Sequence, residues 1–64
     1  MISSWIESVD YDSLTGTATM NLSSGASYDY EDVPESTVND WENADSAGTF
    51  HNSQIRGNFD AVKR

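Results

Sequence analysis

Residues 15–22 read TGTATMNL, and this stretch decides the fold because its polar and apolar side chains alternate. A period of two residues is that of a β-strand, since successive side chains point to opposite faces of a sheet. Thr17, Thr19 and Asn21 fall on one face, whereas Ala18 and Met20 fall on the other. The pattern therefore predicts a strand with a polar face toward water and an apolar face toward a core.

Two further strands flank this one in the sequence. The first is predicted over residues 4–11, where the apolar phase changes after Ile6 and indicates a bulge or a bend. The third is predicted over residues 26–30. Residues 23–25 join it to the second strand as a hairpin loop, because Gly25 adopts positive φ without a steric penalty. Three such strands in succession predict an antiparallel meander.

Helical spacing replaces strand alternation at Pro34, a residue that suits the first turn of a helix. Val38, Trp41 and Ala44 then recur at three-residue spacing, which predicts the buried face of a short helix. Ser46 is placed to cap a second short helix.

The remaining apolar residues predict a tail that docks on the core. Ile55, Phe59 and Val62 follow at spacings of four and three, which indicates a helical or irregular segment. We therefore expect one α+β domain over residues 1–64, in which a three-stranded antiparallel β-meander packs against two short C-terminal helices.

Length and composition fit one small folded domain. A chain of 64 residues buries only about 60% of the surface that its unfolded form exposes, so its core is small. An aromatic share of 11% is too high for a typical disordered acidic tail. The sequence has no cysteine, no basic and apolar leader, and no apolar run of the roughly 20 residues that cross a bilayer. We therefore expect a cytoplasmic protein without membrane contact.

Charge is distributed unevenly along the chain. The three bases, Arg56, Lys63 and Arg64, lie in the last nine residues, and ten of the eleven acids precede them. The net charge is −8 at pH 7. A phosphate-binding face needs several clustered lysines or arginines, so this balance disfavours direct contact with nucleic acid. It favours a protein partner that is basic or that itself binds nucleic acid.

The polar residues contain no complete catalytic or metal-binding motif. His51 is the only histidine, and without a nucleophile and a third orienting group it is expected to be a partly exposed helix residue. Asp10 and Asp12 begin like a calcium loop, but its sixth and twelfth positions hold Thr15 and Asn21 instead of glycine and glutamate. We therefore expect neither an enzyme nor a cofactor or metal site.

Tyr28 and Tyr30 leave two interpretations open. On a sheet face, with Trp5 as a neighbouring ring and Arg56 as a charge, they are similar to the aromatic platforms that stack bases, but they also fit a core beneath the helices. Asp29 and Glu31 lie two residues apart, about 7 Å along a strand, which is comparable with the phosphate spacing of a nucleic acid. These carboxylates indicate either a nucleic-acid mimic or a merely solvated acidic surface.

The order of several short motifs carries a family resemblance. The motifs are Ser3-Ser4, Val9-Asp10-Tyr11-Asp12, Leu22-Ser23-Ser24-Gly25, Tyr28-Asp29-Tyr30, Asp32-Val33-Pro34, Ala44-Asp45-Ser46-Ala47-Gly48 and Phe50-His51-Asn52-Ser53-Gln54-Ile55-Arg56. Together they resemble the KTSC domain, which is named for its place at the C-terminus of some lysyl-tRNA synthetases and also stands alone in bacteria and phages. The resemblance brings no established activity; RNA binding has been suggested for the family because of the synthetase link.

One functional expectation and one alternative follow. We expect a small acidic, non-enzymatic interaction module that binds a protein, such as a phage or bacterial regulator or inhibitor of a nucleic-acid enzyme. The alternative is an RNA- or single-stranded-DNA-binding domain that uses Tyr28, Tyr30 and Arg56. Asn52 and Arg56 lie one helical turn apart and are the polar candidates for a contact surface. The candidate binding residues are Tyr28, Tyr30, Asn52, Arg56, Asp29 and Glu31, and the oligomeric state is left open.

Overall fold

Four antiparallel strands form one sheet, in the order β1-β2-β3-β4, and two helices and a π-helical segment lie between the last two strands. The structure is a computed structural model and describes residues 4–63. The elements are β1 (Ile6–Asp12), β2 (Thr17–Leu22), β3 (Ser27–Tyr30), α1 (Glu35–Asn43), α2 (Ala47–Phe50), the π-helical segment (His51–Ile55) and β4 (Ala61–Lys63). The α+β class and the position of the helices after the meander are as predicted.

The first two strands pair with the irregularity that the sequence predicts. Ile6 pairs with Leu22 and Ser8 pairs with Asn21, so the register shifts between these two pairs. The resulting bulge allows Ile6 and Val9 to be buried together although they are three residues apart.

Two glycines with positive φ close the hairpins. Gly25, at φ +98°, lies in the loop between β2 and β3, as expected. Gly16, at φ +73°, lies in the preceding turn, so the second strand begins at Thr17 and not at residue 15. The carbonyl oxygen of Gly16 accepts a hydrogen bond of 2.9 Å from the Val33 amide. This bond ties the first hairpin to the segment that leads into α1.

The number of strands corrects the sequence prediction, which gave three. Residues 61–63 were expected in a helical or irregular tail, but they form β4 beside β3. Gly57 turns the chain with φ +85°, and a strand of three residues is too short to show alternation in the sequence. Val62 lies directly opposite Asp29 and is 51% exposed, so it does not dock on the core as predicted.

The helices begin at the residues that the sequence indicates. Pro34 precedes α1 with φ −64°, and Val38 and Trp41 are buried on the predicted face of this helix. Ser46 caps α2, because its side-chain oxygen accepts a hydrogen bond of 3.3 Å from the Thr49 amide. Both helix starts are therefore local consequences of side-chain chemistry.

The apolar face of the sheet and the helical segments enclose one core. Its buried hydrophobic residues are Ile6, Val9, Ala18, Met20, Tyr30, Val33, Val38, Trp41, Ala47 and Ile55. The Trp41 indole N–H donates a hydrogen bond of 3.1 Å to the Ala47 carbonyl, which joins α1 to α2 inside this core. Within residues 4–63, no helix is long and apolar enough to span a membrane.

The opposite face of the sheet carries a polar network. The Asn21 amide nitrogen donates to the Ser8 hydroxyl at 3.1 Å and to an Asp10 carboxylate oxygen at 2.9 Å. The Ser27 hydroxyl donates to the Asn21 side-chain oxygen at 2.8 Å. We call this side of the sheet the outer face, because the core lies on the other side.

The cap of α2 gives a first test of the fold. Ser46→Ala is expected to lower the free energy of unfolding by about 1 kcal/mol, because an amide at the helix start loses its acceptor. Ser53→Ala is the matched control: its exposed hydroxyl donates to a helix carbonyl, so its loss is expected to cost less than about 0.5 kcal/mol. Urea denaturation of the two variants measures the difference, and equal losses would contradict the capping role.

Candidate functional site

A hydrogen bond between Tyr30 and His51 lies at the centre of the candidate site. The Tyr30 hydroxyl oxygen and His51 Nε2 are 2.6 Å apart, and both residues are buried. Only 7% of the His51 surface is exposed, which corrects the expectation of a partly exposed helix residue. Burial of two polar side chains in so small a core is sustained because each satisfies the other.

Local structure brings the two residues together. The alternation of β3 turns Tyr30 toward the core, as the sequence allowed, and leaves Asp29 on the outer face. His51 follows α2 without a break, because its amide bonds to the carbonyls of Ala47 and Gly48. It is the first residue of the π-helical segment, which also buries Ile55.

Three aromatic rings surround the His51 imidazole. Trp5 approaches edge-on with ring centroids 5.4 Å apart, and Tyr30 does so at 5.6 Å. Trp41 stacks on the other side at 5.9 Å, and it also stacks on Phe50 at 6.4 Å. These contacts hold the imidazole in one orientation and join the start of β1, the sheet and both helices.

The surroundings keep the pair uncharged at neutral pH. Burial lowers the pKa of His51; the neighbouring Asn52 side chain opposes this shift, and the Arg56 guanidinium adds to it. Burial also raises the pKa of Tyr30, with a further contribution from Tyr28 and an opposing one from Arg56. His51 Nδ1 is buried and has no hydrogen-bond partner within residues 4–63.

Four side chains around this pair reach the surface. We call them the Trp5–Arg56 surface, and they are Trp5, Tyr28, Asn52 and Arg56. Trp5 is 39% exposed, Asn52 and Arg56 are exposed, and Tyr28 is half-buried against the core. Each of the four touches the Tyr30–His51 pair or acts on it electrostatically. The arrangement combines one accessible indole, one phenol, one amide and one guanidinium.

The structure divides the six residues that the sequence singled out. Tyr28, Asn52 and Arg56 gather around the buried pair. Tyr30 belongs to the pair itself, and with 5% of its surface exposed its ring offers little area for stacking on a base. Sequence alternation left open whether Tyr30 belongs to a base-stacking platform or to the core. The helices cover the apolar face of the sheet and therefore place Tyr30 in the core.

Asp29 and Glu31 lie elsewhere. The Thr19 hydroxyl donates a hydrogen bond of 2.6 Å to an Asp29 carboxylate oxygen on the outer face. Thr19 also pairs with Asp10 of β1, so the two carboxylates flank one threonine across the sheet. Glu31 is exposed just beyond β3, and its amide donates to the Asp60 carbonyl at 3.3 Å. The acidic candidates therefore belong to a different surface from the aromatic ones.

The geometry around His51 does not assemble a nucleophile and base. Its bonded partner is a buried phenol, whereas Ser46 caps α2 and the Ser53 hydroxyl donates to the Thr49 carbonyl at 3.0 Å. Among residues 4–63, no three histidine, aspartate or glutamate side chains are grouped closely enough to hold a metal ion.

Two open depressions lie away from the pair. One of about 300 Å³ is lined by Glu7, Ser8, Val9 and Glu42. The other, of about 340 Å³, is lined by Ala44, Asp45, Ser46, Thr49, Phe50, Ser53 and Gln54. Neither contains His51 or a residue of the Trp5–Arg56 surface.

Comparison with known proteins identifies the family from nearly the whole chain. The profile described as the KTSC domain matches residues 2–59. The chain belongs to the KTSC domain family. The crystal structure of a KTSC domain protein from Yersinia pestis has the same fold, with a TM-score of 0.92 and 30% sequence identity. That match covers 100% of this chain and 90% of the Yersinia protein. The resemblance read from the ordered motifs is therefore confirmed.

Two much longer relatives contain a similar segment. A lysine–tRNA ligase of Trichormus variabilis is 38% identical over 56 residues, which is 88% of this KTSC domain and 10% of the ligase. A lysine–tRNA ligase of Nostoc punctiforme is 39% identical over 54 residues, which is 84% of this chain and 10% of the ligase. This chain thus spans about a tenth of the length of these relatives.

Sequence reasoning did not place His51 in the site, and it named Trp5 only as a neighbour of Tyr28 and Tyr30 in a base-stacking platform. One available signal was spacing, because His51 and Ile55 are four residues apart and therefore share a helix face. Trp5 carried no comparable signal, since it precedes β1 and reaches His51 only through the fold.

The Tyr30–His51 bond can be tested by removing one oxygen atom. Tyr30→Phe is expected to lower the free energy of unfolding by about 1–3 kcal/mol, because a buried imidazole nitrogen loses its partner. Tyr28→Phe is the matched control on the same strand face, and because Tyr28 is only half-buried, the loss of its hydroxyl is expected to change the free energy of unfolding by less than about 0.5 kcal/mol. Urea denaturation at pH 7.5 measures the free energy of unfolding of both variants. An unchanged value for Tyr30→Phe would contradict the importance of the pair.

Proposed function

We propose that this KTSC domain is a non-enzymatic interaction module that binds a protein partner through the Trp5–Arg56 surface. The observation that carries the proposal is a 39% exposed tryptophan that packs on the buried His51 ring, on which an exposed arginine also acts electrostatically. Tryptophan, tyrosine and arginine are the residues most enriched at the energetic centres of protein interfaces. A partially exposed indole also offers a large apolar area for a partner to cover.

Attachment to the core supports this role. Trp5 contacts the His51 ring, and His51 is fixed by Tyr30 and Trp41. A contact residue that is held before binding loses less conformational entropy when the complex forms. The surface is therefore better suited to recognition than a flexible terminal segment would be.

Charge indicates the class of partner. The net charge of −8 and the carboxylates of the outer face favour association with a protein that is basic overall. Proteins that bind nucleic acid are basic in this way, so a regulator of a nucleic-acid enzyme in the cytoplasm fits the same charge pattern. Such steering predicts association rates that fall as salt is added.

RNA binding is the second candidate, and one structural observation favours it. Lys63 pairs directly with Tyr28, so both side chains lie on the face of the sheet toward which Arg56 also acts. The tRNA ligases that contain a similar segment point to the same ligand class. Two cations in a chain of net charge −8 provide few phosphate contacts, which is why we rank this candidate second.

Site-specific photo-crosslinking tests the surface. A benzoyl-phenylalanine at position 52 is expected to cross-link one protein from host lysate, because Asn52 belongs to the Trp5–Arg56 surface. Asn39 is the matched control, an exposed asparagine on α1. Capture of the same protein with equal yield from both positions would contradict the assignment of the surface.

The captured protein then serves as the ligand for affinity measurements. Trp5→Ala is expected to raise its Kd at least about tenfold, as truncation of a central interface tryptophan does. Leu14→Ala is the control, since Leu14 is 95% exposed in the turn between β1 and β2. The Kd of this variant for the captured protein is expected to stay within about twofold of the wild-type value. Circular dichroism verifies that both variants are folded. Equal changes in Kd for Trp5→Ala and Leu14→Ala would contradict the proposal.

Fluorescence anisotropy with labelled tRNA separates the two candidates. At 150 mM salt we expect no saturable binding below about 10 μM protein, because non-specific affinity follows the number of phosphate contacts. Micromolar binding that is lost in both Arg56→Gln and Tyr28→Ala would favour the RNA candidate instead.

A further inference from the structure

We propose that the Tyr30–His51 pair is an acid-sensitive latch that holds Trp5 and the π-helical segment against the sheet. Protonation of the His51 ring opens this joint and leaves the β1–β3 meander in place. The inference concerns the conformation of the domain, and only its consequence for binding rests on the proposed function.

The hydrogen-bond geometry makes the latch specific for the neutral ring. The latch requires the neutral tautomer in which Nε2–H donates to the Tyr30 oxygen and Nδ1 is an unprotonated, buried nitrogen without a hydrogen-bond partner within residues 4–63. A protonated imidazole carries N–H groups at both nitrogens. Its Nε2–H keeps the Tyr30 oxygen as an acceptor, whereas its buried Nδ1–H has only the uncharged Asn52 side chain beside it. Burying an unpaired N–H donor costs more free energy on a charged ring than on a neutral one.

The groups that face the ring do not supply a counter-charge. Asn52 of the π-helical segment favours the cation through its side-chain amide but carries no charge, and Arg56, which follows this segment, adds a like charge. From β3, Tyr30 and, through it, Tyr28 present phenols. The remaining neighbours are the uncharged rings of Trp5, which precedes β1, and Trp41 of α1. Exposure of the ring to water is therefore the most direct way to remove the free-energy cost of the buried cation.

The joint is local to one part of the fold. The ladders of β1, β2 and β3 are backbone pairs that do not include the imidazole, although Ile6, Val9 and Met20 share one core with Ile55 of the π-helical segment. His51 begins the π-helical segment, whose wide turn is an uncommon form of helix that often occurs at functional positions. Opening this segment exposes Trp5 and residues 51–55 while the strand pairs remain.

The pH dependence has a definite sign. The pKa of His51 is lowered in the closed form, and in the open form it returns toward the usual value of about 6.5. The closed form is thus fully favoured above about pH 6.5 and loses stability as the pH falls below that value toward the lowered pKa. The open population therefore rises as the pH falls from 7.5 to 5.0, by at most about thirtyfold, which is the limit set by the usual pKa of about 6.5 in the open form.

Amide hydrogen exchange by NMR tests the latch in the whole domain. Opening constants are measured at pH 7.5 and pH 5.0 after correction for intrinsic exchange rates. We expect the constants for residues 51–55 to rise as the pH falls, by up to about thirtyfold, and to exceed those of β2 at both pH values, with a parallel shift of the Trp5 indole resonance. His51→Gln retains an amide N–H donor for the Tyr30 oxygen without a titrating ring, and its exchange in residues 51–55 is expected to be independent of pH.

Several results would overturn the latch. These are equal opening constants for β2 and residues 51–55, unchanged exchange in residues 51–55, or persistence of the pH dependence in His51→Gln. Should that variant not fold, the NMR titration of the wild-type His51 ring decides, because a pKa at or above 6.5 rules the latch out. If the segment opens as expected and the captured protein binds equally well at both pH values, the proposed binding surface fails while the latch stands.

Discussion

The hydrogen bond between Tyr30 and His51 joins the sheet to the helical half inside a core that has little other polar content. In a domain of 64 residues, stability is small and a single unsatisfied buried group is a large fraction of it. The bond therefore constrains what surrounds it: Trp41 must stack on the imidazole, Trp5 must shield its edge, and β3 must turn Tyr30 inward. The surface that we propose for binding is the outer layer of this same cluster.

The two faces of the sheet separate two kinds of chemistry. The inner face and the segments that pack on it carry the aromatic rings, Arg56 and Lys63, whereas the outer face presents Asp10 and Asp29 in a hydrogen-bonded network. Asp10 and Asp29 therefore lie on the opposite side of the sheet from the aromatic cluster around His51. In the function that we propose, the charge of the whole domain attracts a basic partner and the accessible indole makes the contact.

Much of this fold follows from local sequence signals. The alternation in β2, the bulge after Ile6, the hairpin at Gly25 and the cap at Ser46 are each visible within a few residues, and each is found in the structure. The family resemblance was legible for the same reason. β4 was missed because three residues cannot show a period, and the candidate site was only half predicted because Trp5 and His51 meet through the fold. Burial of a lone histidine depends on such distant partners, so its neighbours in the sequence do not reveal it.

The order of the strands has a consequence for how the chain acquires its structure. β1, β2 and β3 pair with their chain neighbours across short turns, so the meander closes small loops at low entropic cost. Pairing of β3 with β4 must instead enclose residues 31–60, which contain every helical segment. We expect a folding pathway in which the meander forms first and β4 pairs with β3 only after the helices have docked. During synthesis on the ribosome, the edge of β3 would then remain unpaired until β4 has left the ribosome.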